Sequence, residues 1–335
     1  MSKYINLATD FGFKQESDCT NDIPLFKPKF IHTLTLAAAL ILAAAAARAQ
    51  NNPGAESHSV TVPSGSGLEV STPTATQGTY VGGKFSVAQG KQVMFAPGNL
   101  QYNAGETPQW RFAEHQYSIC HTTGDNVGDD YKDWKDGEKY KWTDIFGWGT
   151  WLSAGGQQPY ETQTGDAKEY TWSGTSAIGS DWETLTNKEW CYLFSYESAR
   201  LGNFTNDTRK DKYGWGSIVL SENKSVNGMI LLPDDWTSKP EGVNTVFKPG
   251  MTSGNNAYPV SEWALMEEAG AVFLPAAGGR YGTDVYNVGG SGNYWSSTAF
   301  GAGYAYRLCF YSGLVGPGRA YGRNDGLSVR LVRRL

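Results

Sequence analysis

The sequence predicts an α+β domain in which two short helices stand beside mainly antiparallel strands joined by long loops. Three observations lead there. Glycine takes 41 of 335 positions, and 12 Trp and 19 Tyr accompany it, the composition of many turns pinned by aromatic anchors. Only two segments carry a helix start signal followed by apolar residues at helical spacing. The other apolar runs are short and bounded by Gly or Pro. At 40% hydrophobic and 18% charged the chain can bury a core, so wholesale disorder is excluded. A collagen, a coiled coil and a polytopic membrane protein are excluded as well, since there is no Gly triplet repeat, no sustained heptad and a single long apolar stretch.

That stretch sets the compartment. Lys27-Pro28-Lys29 precedes an apolar run from Ile31 to Ala47, and Ala47-Arg48-Ala49 closes it. A basic flank, an apolar core and an A-x-A site are the parts of a secretory signal, and the run is short and Ala-rich against the ~20 residues of a permanent span. Residues 1–49 are therefore read as a leader, with no membrane span in the mature chain and a secreted, periplasmic or cell-surface location. Ahead of the signal, Lys3-Tyr4-Ile5-Asn6 and Thr9-Asp10-Phe11-Gly12-Phe13-Lys14 resemble the opening of the PD-(D/E)XK nuclease-transposase family. Nothing after Lys14 supplies the carboxylates and lysine of such a nuclease, so no activity is expected from it.

The leader holds Lys3, Lys14, Lys27, Lys29 and Arg48 against Asp10, Glu16, Asp18 and Asp22, so its loss takes the formal charge from −5 to −6. Mild acidity argues against a nucleic-acid groove. Cys120, Cys191 and Cys309 remain, an odd number that implies no disulfide framework and leaves any single pairing open. Residues 50–80, rich in Ser, Thr, Gly and Pro, have the composition of a linker, and residues 81–335 form the expected domain.

Within it, Phe85-Ser86-Val87 and Val93-Met94-Phe95 are strand candidates separated by Gly90, and Pro97-Gly98-Asn99 is a turn. Thr186 to Glu189 is a capping box ahead of Trp190, Leu193 and Phe194. Ser261 is placed as the cap of a second helix through Trp263, Leu265 and Met266, with Gly270 ending it. Further strands are read at Met229 to Pro233, Ala271 to Pro275 and Leu327 to Val332.

Catalytic and metal constellations are missing from the sequence. His58 lies in the linker, and His115 and His121 lack metal-ligand spacing. Cys120 and His121 are sequence neighbours, which point apart on a strand, so no nucleophile-base pair is expected. The glycine runs near Gly278, Gly289 and Gly301 lack phosphate-loop context and read as loops. Asp125, Asp129, Asp130, Asp133, Asp136 and Glu138 do not match a calcium-loop spacing and read as a solvated stretch. Asn203, Asn206 and Asn223 fit the glycosylation pattern, which matters only in a eukaryotic host. No cofactor and no metal site is expected.

The last forty residues are the informative ones. Tyr306, Leu308 and Phe310 alternate with Arg307, Cys309 and Tyr311, which on a strand places the first set on the core face and the second on the exposed face. After Ser296 there are six Arg, one Asp and no Lys. A face rich in Arg, Tyr and Gly has the make-up of an adaptable recognition surface.

Four segments together carry a family resemblance. They are Glu183 to Trp190, Gly270 to Gly278, Tyr294 to Ser297 and Ser328 to Val332. They resemble the Fibrobacter succinogenes major paralogous domain and related secreted proteins of Bacteroidetes, which are similar in turn to the formylglycine-generating-enzyme type of C-type-lectin-like fold. The resemblance implies that fold over most of residues 81–335. The C-terminus also resembles proteins diversified by retroelements, in which variable positions interleave with fixed ones. On that resemblance the ligand-binding set is Phe300, Tyr304, Arg307, Cys309, Tyr311, Leu314, Arg319, Ala320, Tyr321, Asn324 and Asp325, facing a protein or glycan at a surface. The copper-binding cysteine pair of the formylglycine-generating oxidases is not matched, because only Cys309 lies near the C-terminus. The Glu-Pro-Asn or Gln-Pro-Asp triplets of calcium-dependent lectins are not matched either. A binding module and not an enzyme is therefore expected, with a glycan-binding lectin-like protein and, behind it, such an oxidase as the alternatives.

Overall fold

The computed structural model describes residues 82–125, 142–149 and 178–335, apart from 104–105, 107, 180, 199–201, 204–206, 253 and 255. The leader, the linker, the acidic stretch beyond Asp125 and Asn206 lie outside the described residues. Those described fall in one compact unit, Thr76–Leu335. Strands β1 (Phe85–Ala88) and β2 (Lys91–Phe95) form a hairpin whose turn holds Gly90 at φ +68°, a left-handed conformation natural to glycine. A second, small hairpin joins β3 (Leu100–Tyr102) to β4 (Trp110–Phe112).

Helix α1 (Asn187–Leu193) begins at the capping box: Thr186 Oγ1 accepts from the Glu189 N–H at 3.3 Å, and the Glu189 carboxylate accepts from the Thr186 N–H at 2.8 Å. After β5 (Glu197–Ser198), β6 (Gly202–Asn203) and a 3-10 turn (Asp207–Arg209) comes the long antiparallel hairpin of β7 (Tyr213–Ser221) and β8 (Lys224–Leu231). Strand β9 (Ala257–Pro259) pairs with β7 in parallel and leads directly into helix α2 (Val260–Glu268). Pro259, not Ser261, is the N-cap residue, without a side-chain cap bond, because the extended proline ends β9 and presets the turn into the helix. Gly270 at φ +92° ends the element as expected.

Strand β10 (Val272–Pro275) pairs with β8, completing the order β10-β8-β7-β9. A small hairpin of β11 (Gly279–Tyr281) and β12 (Asp284–Tyr286) follows. Three successive strands, β13 (Ser291–Phe300), β14 (Tyr304–Tyr311) and β15 (Leu314–Gly322), make the C-terminal sheet. Last, β16 (Val332–Arg334) returns to β2 with Val332 opposite Phe95. The two ends of the domain thus share one sheet, through Val332–Arg334 and not through the apolar set Leu327, Val329 and Leu331.

The strand expected over Leu327 to Val332 is an extended segment for most of its length, bridged at Leu327 to Phe146 and at Ser328 to Tyr294. It runs between two cores. Leu327, Val329 and Leu331 point into one with Leu100, Phe146, Trp148, Trp182 and Trp295, and Val332 joins the other with Phe85, Phe95, Trp190, Tyr294 and Phe310. A third core lies between the β7–β8 hairpin and α2, around Ile218, Ile230, Trp263 and Phe273.

Candidate functional site

Register fixes which side chains of the C-terminal sheet belong together. Tyr304 pairs with Phe300 and Tyr306 with Ala320, while Ala305 pairs with Tyr321 and Arg307 with Trp295 and Arg319. The face of Tyr306, Leu308 and Phe310 is the core face, where Leu308 and Phe310 pack with Trp190 and Leu193 of α1. Phe310 lies over Gly292, where a Cβ would meet its ring.

The opposite face corrects the expectation from alternation. Arg307 and Cys309, expected to be exposed, are fully buried, because Leu327, Val329 and Leu331 pack against Trp295 and Ala305 on that side as α1 packs against the other. Arg307 donates to the Asn293 side-chain carbonyl, and its guanidinium stacks 3.9 Å from the centre of the Tyr321 ring. The Tyr321 hydroxyl shares a 3.0 Å hydrogen bond with that of Tyr286, and burial raises the Tyr286 phenol well above its ordinary value. Cys120 and Cys191 are free, so neither bridges to Cys309.

Two further buried arginines fasten the loops at the open end of this sheet. Arg323 donates from Nε to Tyr304 O at 2.9 Å and from Nη2 to Gly301 O at 2.6 Å, its backbone N–H reaches Gly303 O at 3.0 Å, and its guanidinium lies 4.3 Å from the Trp148 ring centre. Trp148 in turn donates to Ser296 O at 2.9 Å. Arg280 bonds to Gly282 O, and to Asn324 O at 2.9 Å, while its backbone pairs with Gly326 in both directions. Three loops, at 282, 301–304 and 322–325, are thereby held through their backbones. Tyr304 at 56% and Tyr281 at 69% are among the most exposed large side chains described, and Asn324 is exposed beside them.

The sequence-derived set therefore separates. Phe300, Tyr304 and Asn324 lie at the loop end with Ala320 following on the Tyr304 face, whereas Tyr321 and Arg319 belong to the opposite face, that of Arg307. Tyr311 and Leu314 pair at the other end of the hairpin, seven strand steps or roughly 23 Å from Tyr304, beyond the reach of one small ligand spanning both. Asp325 is buried, not displayed. Tyr281, Arg280, Tyr286 and Trp148 were missed. The signal available was Gly278-Gly279-Arg280-Tyr281-Gly282, whose Gly278 and Gly282 both take positive φ in a tight hairpin, a pattern read only as a loop.

Cys120 and His121 have separate partners. The Cys120 sulfur accepts from Gln101 at 3.2 Å and its N–H donates to Asp144 Oδ2 at 3.1 Å, whereas His121 Nε2 bonds Thr143 Oγ1 at 3.0 Å. Burial, with Asp144 adding to it, raises the Cys120 thiol well above its ordinary value, and burial holds His121 down at about 4. A thiol kept protonated beside a neutral imidazole bonded elsewhere is a poor nucleophile. Among the described residues no cluster of three or more His, Cys, Asp or Glu is arranged to hold a metal ion, and no helix is long and apolar enough to cross a membrane.

The fold and the site define an α+β domain of mainly antiparallel strands with a fastened loop end on its C-terminal sheet. No family model, curated protein or solved structure matches the chain.

Proposed function

We propose that the mature chain is a binding module carried outside the inner membrane, of C-type-lectin-like architecture, that recognises a surface protein or glycan at the loop end of its C-terminal sheet. One observation carries this reading: the loops around Tyr304 and Asn324 are held by Arg280 and Arg323 through backbone carbonyls, so the exposed side chains there are not needed to shape the loops. Arg307, Tyr321 and Asp325 belong to the frame, with Arg319 beside them on the Arg307 face, and Phe300, Tyr304 and Asn324 belong to the recognition surface. The pairing of the first strands with the last, together with the two helices, supports the lectin-like architecture. Retroelement diversification fits the same division between a fixed frame and replaceable side chains, and a near-copy of the last coding segment beside a reverse transcriptase gene is its test.

Binding of the mature protein to glycan and surface-protein arrays tests the function. Truncating aromatic or Arg anchors in such a surface costs roughly 2 kcal/mol or more each, so Tyr304→Ala with Asn324→Ala is expected to abolish detectable array binding while the protein stays folded. Unchanged binding by the folded double variant would move the site elsewhere. Loss of binding with a chelator would replace this reading with a calcium-dependent lectin.

A further inference from the structure

The outer edge of β10 is satisfied by side chains instead of by another strand. Gln116 donates to Ala271 O at 3.2 Å and accepts from the Phe273 N–H at 2.6 Å, Arg330 donates to Phe273 O, and the Tyr294 hydroxyl donates to Pro275 O at 2.8 Å. Arg330 Nη2 also reaches Gln116 Oε1 at 3.2 Å. Beside this edge is a group of buried polar atoms with no protein partner: Asn99 Oδ1, Ser328 Oγ, and Arg330 Nε and Nη1. Their residues are 0%, 0% and 1% exposed respectively.

Backbone pairing puts them in one place. Leu100 N–H bonds Val329 O at 2.9 Å, which sets Asn99 beside the 328–330 segment. Ser328 bridges Tyr294 in parallel, so those two side chains leave on the same face, and Arg330 two residues on shares it. Asn99 Nδ2 donates to the Tyr294 hydroxyl at 3.3 Å. Since that hydroxyl spends its own hydrogen on Pro275 O, turning the Asn99 amide over would only exchange one unmet atom for another. The acceptor character of Asn99 Oδ1 is therefore fixed by the network.

We infer that the fold holds bound water at this point, bridging Arg330, Ser328 and Asn99 between the first strands, β10 and the C-terminal segment. Chemistry selects the ligand. An anion would satisfy the guanidinium and repel the Asn99 carbonyl, and a cation would do the reverse. Only a small group that both donates and accepts meets all three, and a buried water ordinarily makes about three such bonds. Left unmet, each buried donor or acceptor costs the full desolvation penalty. Burial lowers the Arg330 guanidinium only to about 10, so it is charged and donating at neutral pH.

Ser328→Ala provides a test whose sign decides. If the hydroxyl is bonded to water, removing it lowers the denaturant midpoint; if it is unmet, removing it raises the midpoint or leaves it unchanged, and the inference fails. A crystal structure finer than about 1.8 Å is expected to show density about 2.7–3.2 Å from both Asn99 Oδ1 and an Arg330 nitrogen. Direct contact between those side chains with no density, or an anomalous peak there after a bromide soak, would overturn the water assignment.

Discussion

Asp144→Asn should make the protein more stable above neutral pH and leave it unchanged in acid. Asp144 is 1% exposed and sits between the bridges of Thr143 to Tyr102 and Phe146 to Leu327, with the Cys120 N–H at 3.1 Å. Desolvation dominates, and the bonds from Cys120 offset it only in part, so its carboxyl is raised from 3.8 to about 7. The folded protein binds this proton more tightly than the unfolded chain does. Its contribution is therefore intact below the unfolded value and is lost as pH climbs from about 4 to about 7. At about 1.4 kcal/mol per pKa unit the loss is on the order of 4 kcal/mol once both states are ionised. Asparagine keeps the shape and an acceptor for Cys120 N–H without the charge. Urea titrations of both proteins at several pH values between about 4 and 8.5 should give midpoints that coincide in acid and separate in favour of the variant in base. Parallel curves across that range would refute the argument that this carboxyl is ionised at a cost in the fold.

Other expectations follow from the same geometry. His121 is shifted the opposite way, from 6.5 to about 4, so it contributes a loss of stability as pH falls through that window; His121→Gln should remove this loss and uncover the Asp144 slope, and an unchanged pH profile would contradict it. Thr186→Ala breaks the capping box and should cost about 1 kcal/mol by denaturant titration, whereas no change would mean that packing of Trp190 alone holds α1. Gly292→Ala drives a methyl into the Phe310 ring and should cost roughly 1–3 kcal/mol, which calorimetry would register as a lowered Tm.

Local signals were the most legible part of the sequence. The capping box at Thr186 and Glu189 is a complete rule within four residues, and the turn at Gly90 needs only its two flanking runs. The meeting of the ends rests on Val332 to Arg334 beside β2 and on the Leu100 N–H bond to Val329 O; apolar alternation does not explain it, because Leu327, Val329 and Leu331 enter a different core from Phe85, Val87, Val93 and Phe95. The β7–β8 hairpin was only half seen, at Met229 to Leu231, since Gly214, Gly216 and Gly228 interrupt the β-branched and aromatic pattern; they are there because Asn256 and Phe273 crowd the backbone. Arg307 misled for a different reason. Alternation assumes one wet face per strand, and a charged residue normally marks it, but β14 is covered on both sides and the guanidinium is spent on Asn293 and Tyr321. Nor could spacing reveal that Arg280 and Arg323, forty-three positions apart, fasten neighbouring loops.

The division between frame and recognition surface is open to one direct measurement: protease resistance of every single substitution across residues 296–335, read on displayed protein. Tyr304 and Asn324 should accept almost any residue, since exposed positions away from special features usually change stability by less than about 0.5 kcal/mol. Arg307 and Arg323 should accept almost none, since each substitution strands buried carbonyls and uncovers an aromatic ring. Equal tolerance at the four positions, or intolerance at Tyr304 and Asn324, would contradict the account of a fixed frame presenting replaceable side chains.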